Sequence, residues 1–269
     1  MISFPNAKIN LGLNIIGKRP DGFHDLESCF LPIQWKDALE ILTSDNEVVE
    51  FTSSGISIPG NTDHNLVLKA YHLLKIDFDL PPVRIHLHKE IPLGAGLGGG
   101  SSDAAFTLKS LNSLFRLELN DDELTSYASR LGSDCPFFIH NRPMMAQGRG
   151  EILSPIEVRL EGYHLMVVMP EVAVGTAEAY SWITPTFPTE KINDILHFPP
   201  EEWARRLVND FEAPVIERYP AIGELKQSLL NNGAIYASMS GSGAAVFGIF
   251  RKAPDLSPWK SLKHWCGPG

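Results

Sequence analysis

The chain has 269 residues, 43% hydrophobic and 20% charged, with a formal net charge of −9. That length and balance belong to a globular chain with a substantial core and room for two domains, not to a disordered one. The acidic excess speaks against nucleic acid as a partner, because a duplex binder needs a basic footprint, and the three scattered cysteines, Cys29, Cys135 and Cys266, form neither a zinc cluster nor a disulfide framework.

No apolar run reaches the roughly 18 residues of a membrane span. The N-terminus lacks a basic segment followed by an apolar one, so a cytoplasmic protein is expected. Ile9, Leu11, Leu13 and Ile15 alternate with Lys8, Asn10, Gly12 and Asn14, which predicts a strand with one apolar face. Read locally, Lys8 and Asn10 are solvated residues on its other face. Pro20-Asp21-Gly22 is a turn signal, and a second strand through 26–31 makes a hairpin. Phe23 and His24 follow that turn and read locally as surface residues. Residues 39–42 and 48–51 are further strand candidates. Asn65 is placed to cap a helix with Leu66, Ala70 and Leu73 on its buried side. Residues 83–88 form the next strand; His86 and His88 alternate on it without a third ligand, so no metal site is assigned.

The most informative stretch comes next: Pro92, Leu93, Gly94, Ala95, Gly96, Leu97, Gly98, Gly99, Gly100, Ser101, Ser102 and Asp103. Ala104, Leu108, Leu111 and Phe115 then recur at helical spacing. A glycine-rich loop feeding a helix presents backbone N–H groups at the positive end of the dipole, which is a phosphate cradle. Ser101 or Ser102 is expected to cap the helix, with Asp103 favourable in its first turn. The loop lacks the Gly-Lys-Ser/Thr of a Walker A motif. It matches the dinucleotide pattern at Gly94-x-Gly96-x-x-Gly99, but that motif turns directly from strand to helix, and Pro92 intervenes here.

Asn120 and Glu123 predict a capping box for a helix that stops at Gly132. Asp134 follows, ahead of the apolar run 135–139; read locally it is a helix cap with Pro136 at the helix start. Beyond residue 151, a buried strand is predicted over 163–169 and helices over 176–183, 201–209 and 220–231. Residues 184–197 read as loop. Two last strands, 234–239 and 244–250, flank the turn Ser240-Gly-Ser-Gly243, and residues 265–269 carry no pattern. Without regular βαβ alternation the fold class is α+β, with domains over 1–150 and 151–269.

The loop motif resembles the ATP loop of the GHMP kinases. Two more motifs of that superfamily stand in order, Pro5-Asn-Ala-Lys-Ile-Asn-Leu-Gly-Leu13 and Met239-Ser-Gly-Ser-Gly-Ala244, so the resemblance spans almost the whole chain. Residues 7–11, Gly22-Phe23-His24 and Gly132-Ser-Asp-Cys-Pro-Phe137 are most similar to the branch that phosphorylates the 2-hydroxyl of 4-diphosphocytidyl-2-C-methyl-D-erythritol. The resemblance implies a two-domain fold, with an N-terminal domain like ribosomal protein S5 domain 2 and a ferredoxin-like C-terminal domain. It implies ATP as donor, with Mg²⁺, and a cytidine diphosphate-linked methylerythritol as acceptor.

By the same resemblance Asp134 is the catalytic carboxylate and Lys8 the cation beside it. Residues 92–102 and Asn65 bind ATP, and Asn10, Phe23, His24 and Thr176 contact the acceptor. Phe23 stands where the branch usually has tyrosine, which keeps the ring and loses the hydroxyl. Three alternatives remain at this point. One is a superfamily kinase acting on homoserine or mevalonate, against which Phe23-His24 speaks. Another is a nicotinamide-dependent oxidoreductase. The third is a member that binds without catalysis, which the presence of both Lys8 and Asp134 opposes.

Overall fold

The computed structural model describes residues 1–61 and 64–269. The chain divides into two compact units, each discontinuous in sequence. Residues 1–7, 34–93 and 98–142 make the first; residues 8–33, 94–97 and 143–269 make the second. The hairpin predicted near the N-terminus is present as the long strands β2 (Asn6–Lys18) and β3 (His24–Lys36), after a short β1 (Ile2–Ser3).

In the first unit β4 (Ala38–Thr43), β5 (Glu50–Gly55) and β6 (Val83–Lys89) join β1 in the order β1-β4-β6-β5, with β5 parallel to β6 and the other pairs antiparallel. Leu39 faces Leu87 and Ile41 faces Ile85 across β4 and β6. This register puts the buried apolar side chains of both strands on one face. Helix α2 (Gly99–Phe115) packs on β4 and β1, and α1 (Leu66–Phe78), α3 (Asp121–Leu131) and α4 (Cys135–His140) pack around α2. α2 buries Ala104, Leu108 and Leu111, as its spacing predicts. Each such leucine contributes about 1.5–3 kcal/mol on leaving water.

Local signals set the helix starts. Asn65 Oδ1 accepts from Val67 N at 2.9 Å. Asn120 and Glu123 form the reciprocal box, with bonds of 3.0 and 2.9 Å. The buried residues of α1 are Val67, Leu68, Ala70, Tyr71 and Leu74. Of the predicted set, Ala70 is buried, while Leu66 and Leu73 are half-buried.

In the second unit β2 and β3 continue into β7 (Met144–Gly148) and β8 (Ile152–Pro155), in the order β2-β3-β7-β8. A second sheet, wholly antiparallel, runs β10-β11-β9-β12 from β9 (His164–Met169), β10 (Tyr236–Met239), β11 (Val246–Phe250) and β12 (Lys263–Pro268). Helices α5 (Thr176–Ser181), α6 (Ile192–Leu196), α7 (Glu212–Arg218) and α8 (Pro220–Asn231) complete it, with α8 against β10 and β11. Its core joins Leu13 and Ile15 to Val168, Phe211, Val215, Ile222, Leu229 and Val246.

Apart from the unit β5-α1-β6, the described elements do not alternate as βαβ, and this mixture of sheets and helices bears out the α+β class. The helix predicted over 201–209 is absent. One 3₁₀ turn, Pro200–Glu202, stands there, Arg205 is left-handed at φ 70°, and the chain then lies beside β2. Leu13 N donates to Val208 O at 2.9 Å and Asp210 N to Leu13 O at 2.8 Å, so strand pairing takes the groups that a helix would have used. Residues 265–269, which show no pattern alone, largely belong to β12, where Trp265 faces Val167. The segment read as loop over 184–197 contains α6. Among the described residues no helix is long and apolar enough to cross a membrane.

Candidate active site

In the first unit the helix after the glycine loop begins at Gly99. Its cap is Gly98, left-handed at φ 70°, and no side chain caps it. Ser101 and Ser102 are therefore not caps; both lie inside the first turn. A backbone turn that only glycine adopts without strain takes the place of the expected serine. Pro92 is buried and Leu93 half-buried on the approach, and Ser102 Oγ is buried with no hydrogen-bond partner among the described residues. The start of α1 lies close by: a Cβ on Gly100 would stand 3.9 Å from Leu66 Cδ1, next to Asn65.

Asp103 does not serve the helix dipole from the surface. It is buried and accepts from Lys89 Nζ at 2.8 Å, and the same ammonium pairs with Asp37. The other oxygen of Asp37 takes the N–H groups of Glu90 and Ile91 at 2.6 and 2.9 Å. Burial lifts the Asp103 carboxyl above its ordinary range against the pull of Lys89. Burial alone would lower the Lys89 pKa, but the carboxylates of Asp103 and Asp37 outweigh it and hold it high. This triad ties the strand before the loop to the helix after it. Consistent with that close packing, a Cβ on Gly99 would meet Ile91 Cγ2 at 2.9 Å and Lys89 Nζ at 3.3 Å.

Asp134 occupies the cap position of α4, but its carboxylate makes no cap hydrogen bond, so the local cap reading is not what the side chain does. The next residue, Cys135, is buried, and burial pushes its thiol up to about 12; the Asp134 charge adds to this and a hydrogen bond with Ser101 opposes it. The first turn of α2 and Asp134 thus flank one thiol. Among the described residues no group of three His, Cys, Asp or Glu side chains is arranged to hold a metal. His86 and His88 instead bond the hydroxyls of Thr52 and Ser54.

In the second unit Lys8 and Asn10 are not solvated: they are 3% and 1% exposed. Lys8 Nζ donates to Asn10 Oδ1 at 2.6 Å and stands 4.7 Å from the Phe30 ring centroid. Asn10 Nδ2 donates to Ser28 Oγ at 2.8 Å. A buried ammonium is tolerated only with such partners, and nothing in the alternation of β2 reveals that its polar face is covered. The loop residues of this unit join the cluster. Lys8 N donates to Leu97 O at 2.9 Å and Ala245 N to Ala95 O at 3.2 Å. Ser240 Oγ donates to Gly96 O at 2.9 Å and lies 3.4 Å from Asn10 Oδ1. Gly94, at φ 61°, has open space where a side chain would stand.

Phe23 is 54% exposed; its N–H donates to Asp21 at 3.1 Å and the Arg149 guanidinium lies 4.9 Å from its ring centroid. His24 stacks on Tyr180 with centroids 5.1 Å apart. Burial, then the Lys18 charge, holds the His24 pKa below its ordinary value. Thr176 opens α5 and accepts from Ser242 Oγ at 3.3 Å. Sequence reasoning missed Tyr180; its place four residues after Thr176, on the same helical face, was the available signal.

The first unit thus holds a glycine-capped helix start, and the second a buried lysine–asparagine pair and a Ser-Gly turn against residues 94–97. The family model for the GHMP kinases N terminal domain matches residues 65–142 and that for the GHMP kinases C terminal domain matches residues 198–257; the chain belongs to the GHMP kinase family. Its relatives include the 4-diphosphocytidyl-2-C-methyl-D-erythritol kinase of Bacteroides fragilis, 53% identical over 268 residues, covering 99% of this chain and 98% of that one. The protein of the same name from Parabacteroides distasonis is 51% identical, covering 94% and 92%. A crystal structure of 4-(cytidine 5'-diphospho)-2C-methyl-D-erythritol kinase superposes with a TM-score of 0.83 at 31% identity, covering 100% of both chains. Family membership removes the nicotinamide reading, as does the fold: β6 ends at Lys89 and α2 begins only at Gly99.

Proposed function

We propose that the protein transfers the γ-phosphoryl group of ATP to the 2-hydroxyl of 4-diphosphocytidyl-2-C-methyl-D-erythritol, releasing ADP and the 2-phosphate. The observation that carries this is the identity of about half over nearly the full chain with relatives of that name. The protein acts in the cytoplasm, with residues 1–150 as the ATP-binding domain and 151–269 as the C-terminal domain.

The residues present fit the donor. The first turn of α2, whose glycine cap leaves its N–H groups without a side-chain acceptor, and the Ser102 hydroxyl supply donors for phosphate oxygens. Residues 92–102 hold the phosphates, and Asn65 borders the adenine. Ser101 and Ser102 are the hydroxyls available to Mg²⁺, which when bound offsets the phosphate charge and takes most of its ligands from phosphate and water. Asp134 accepts or orients the proton of the acceptor hydroxyl. Lys8, held by Asn10, stabilises the negative charge that develops on that oxygen. Asn10 also hydrogen-bonds the acceptor, Thr176 contacts it, Phe23 and Tyr180 offer rings to the cytosine, and His24 bonds the base edge.

ATP consumption with a panel of acceptors tests this. Turnover is expected with the cytidine compound and not with homoserine or mevalonate. Turnover with either of those and none with the cytidine compound overturns the assignment.

A further inference from the structure

The run Asn209-Asp210-Phe211-Glu212 forms a hydrogen-bonded bracket inside the second unit, in a stretch where sequence reasoning expected a helix end. Asn209 is buried, and every part of its amide is engaged. Nδ2 donates to the carbonyls of Met239 and Gly241, each at 2.8 Å, and Oδ1 accepts from Phe211 N at 3.0 Å. Asp210 accepts from Ile15 N at 2.7 Å, and its own N–H donates to Leu13 O. Glu212 Oε1 accepts from Met239 N at 2.7 Å and Ser238 Oγ at 3.1 Å, while its Oε2 takes Lys226 Nζ at 2.6 Å.

One end of the bracket therefore grips β2, the strand of Lys8 and Asn10. The other grips the turn of Ser240. The two carbonyls held by Asn209 belong to the residues on either side of Ser240, so its two bonds fix the peptide group that leads into Ser240 and the one that follows Gly241. Ser240 in turn reaches Gly96 O and Asn10 Oδ1, and Asn10 Oδ1 receives the Lys8 ammonium.

We propose that Asn209 is a positioning residue for phosphoryl transfer: by clamping the carbonyls of Met239 and Gly241 it fixes Ser240, and through Ser240 it sets the place of Gly96 in the donor loop and of the Asn10–Lys8 pair. The proposal rests on the reading that Lys8 acts at the acceptor oxygen. Both donors and the acceptor of the amide are used internally, so the residue acts through the turn rather than on a ligand. Misplacing a reacting group by about 1 Å costs roughly 10²-fold in rate, and that is the scale of effect expected when the clamp is released.

The test is steady-state kinetics on Asn209→Ala, Ser240→Ala and the double variant, with Lys8→Met assayed alongside and the folded fraction of each measured by thermal unfolding. Asn209→Ala is expected to lower kcat by about 10- to 100-fold while the acceptor KM moves less than about threefold. The double variant is expected to be no slower than the slower single variant, within about twofold, because the two residues act in series. Asn209→Asp keeps the bond from Phe211 N and loses both clamps; it should fall in kcat with Asn209→Ala, and it replaces that variant if alanine prevents folding. Wild-type kcat per folded molecule in Asn209→Ala, or effects of Asn209→Ala and Ser240→Ala that multiply, overturn the proposal. So does failure of both Asn209 variants to fold, which makes the residue structural only. If Lys8→Met keeps wild-type kcat, the acceptor-side reading fails and the proposal fails with it; if Lys8→Met is slow and Asn209→Ala is not, the proposal alone fails.

Discussion

Ser240 Oγ donates to the carbonyl of Gly96 at 2.9 Å, and the carbonyl of Ser240 fills the space that a side chain on Gly96 would need. The turn near the C-terminus and this part of the glycine loop are thus one packed assembly. Gly96 sits at φ 75°, where an L side chain is strained by about 1–2 kcal/mol before any overlap is counted. Gly96→Ala is expected to shift the loop, lower the melting temperature and weaken ATP at least about tenfold. Calorimetric titration with ATP, beside a melting curve, checks it; unchanged affinity and stability would show that the loop yields freely.

Gly98→Val addresses the other half of the loop. Gly98 is left-handed at φ 70° and is the cap of α2. A β-branched residue there forces the backbone out of this region, and the cradle of N–H groups opens. Loss of saturable ATP binding, with NADH binding in neither protein, is the expected result of a fluorescence titration. Tight ATP binding by a folded Gly98→Val protein would place the donor elsewhere.

Asp134→Asn is expected to lower kcat by about 10²–10⁴, the usual contribution of a positioned acid or base, with ATP still bound. The substitution is close in volume, and the Asp134 side chain does not cap α4, so folding should persist. A near-wild-type kcat would return the residue to a structural part.

The cytidine acceptor should be used far better than its uridine analogue, because a site built to bond one base edge leaves its groups unpaired against another. His24→Ala should raise the acceptor KM and narrow that preference while ATP binding stays intact. The His24 pKa lies below its ordinary 6.5, so the ring is neutral above that pH and gains its proton only on further acidification. The acceptor KM should therefore be flat above pH 6.5 and rise below it in wild type, a rise lost in His24→Ala. An equal preference for the two bases, or an identical pH profile in the variant, would remove His24 from the base.

The elements legible from sequence are those with a local cause. The Asn65 cap, the Asn120–Glu123 box and α8 with Pro220 at its start are set by side chains a few residues from the backbone groups they serve. The alternation of β2 likewise follows from a period of two. What stayed hidden is set at a distance. The pairing of β12 depends on β9, and the course of the chain at residues 208–210 depends on Leu13. The burial of Lys8 depends on Asn10, Phe30 and the chain that covers that face. The cap of α2 was missed for another reason: Gly98 acts through its own backbone, and serines close by satisfy the usual side-chain rule. At the site, the resemblance supplied the roles proposed for Lys8 and Asp134, which read alone are a strand lysine and a cap. It did not point to Tyr180 or Asn209, whose partners lie far away in sequence.

The triad of Asp37, Lys89 and Asp103 bears on how the first unit assembles. Lys89 is 52 residues from one carboxylate and 14 from the other, so its charge is matched only when the end of β3, the end of β6 and the start of α2 have come together. A form with two of these docked would hold an incompletely paired ion away from water, at a cost of several kcal/mol. Such half-built forms are thereby depopulated. The first turn of α2 beside the triad is accordingly expected to be lost or gained with the whole unit in one cooperative step, rather than to fray on its own.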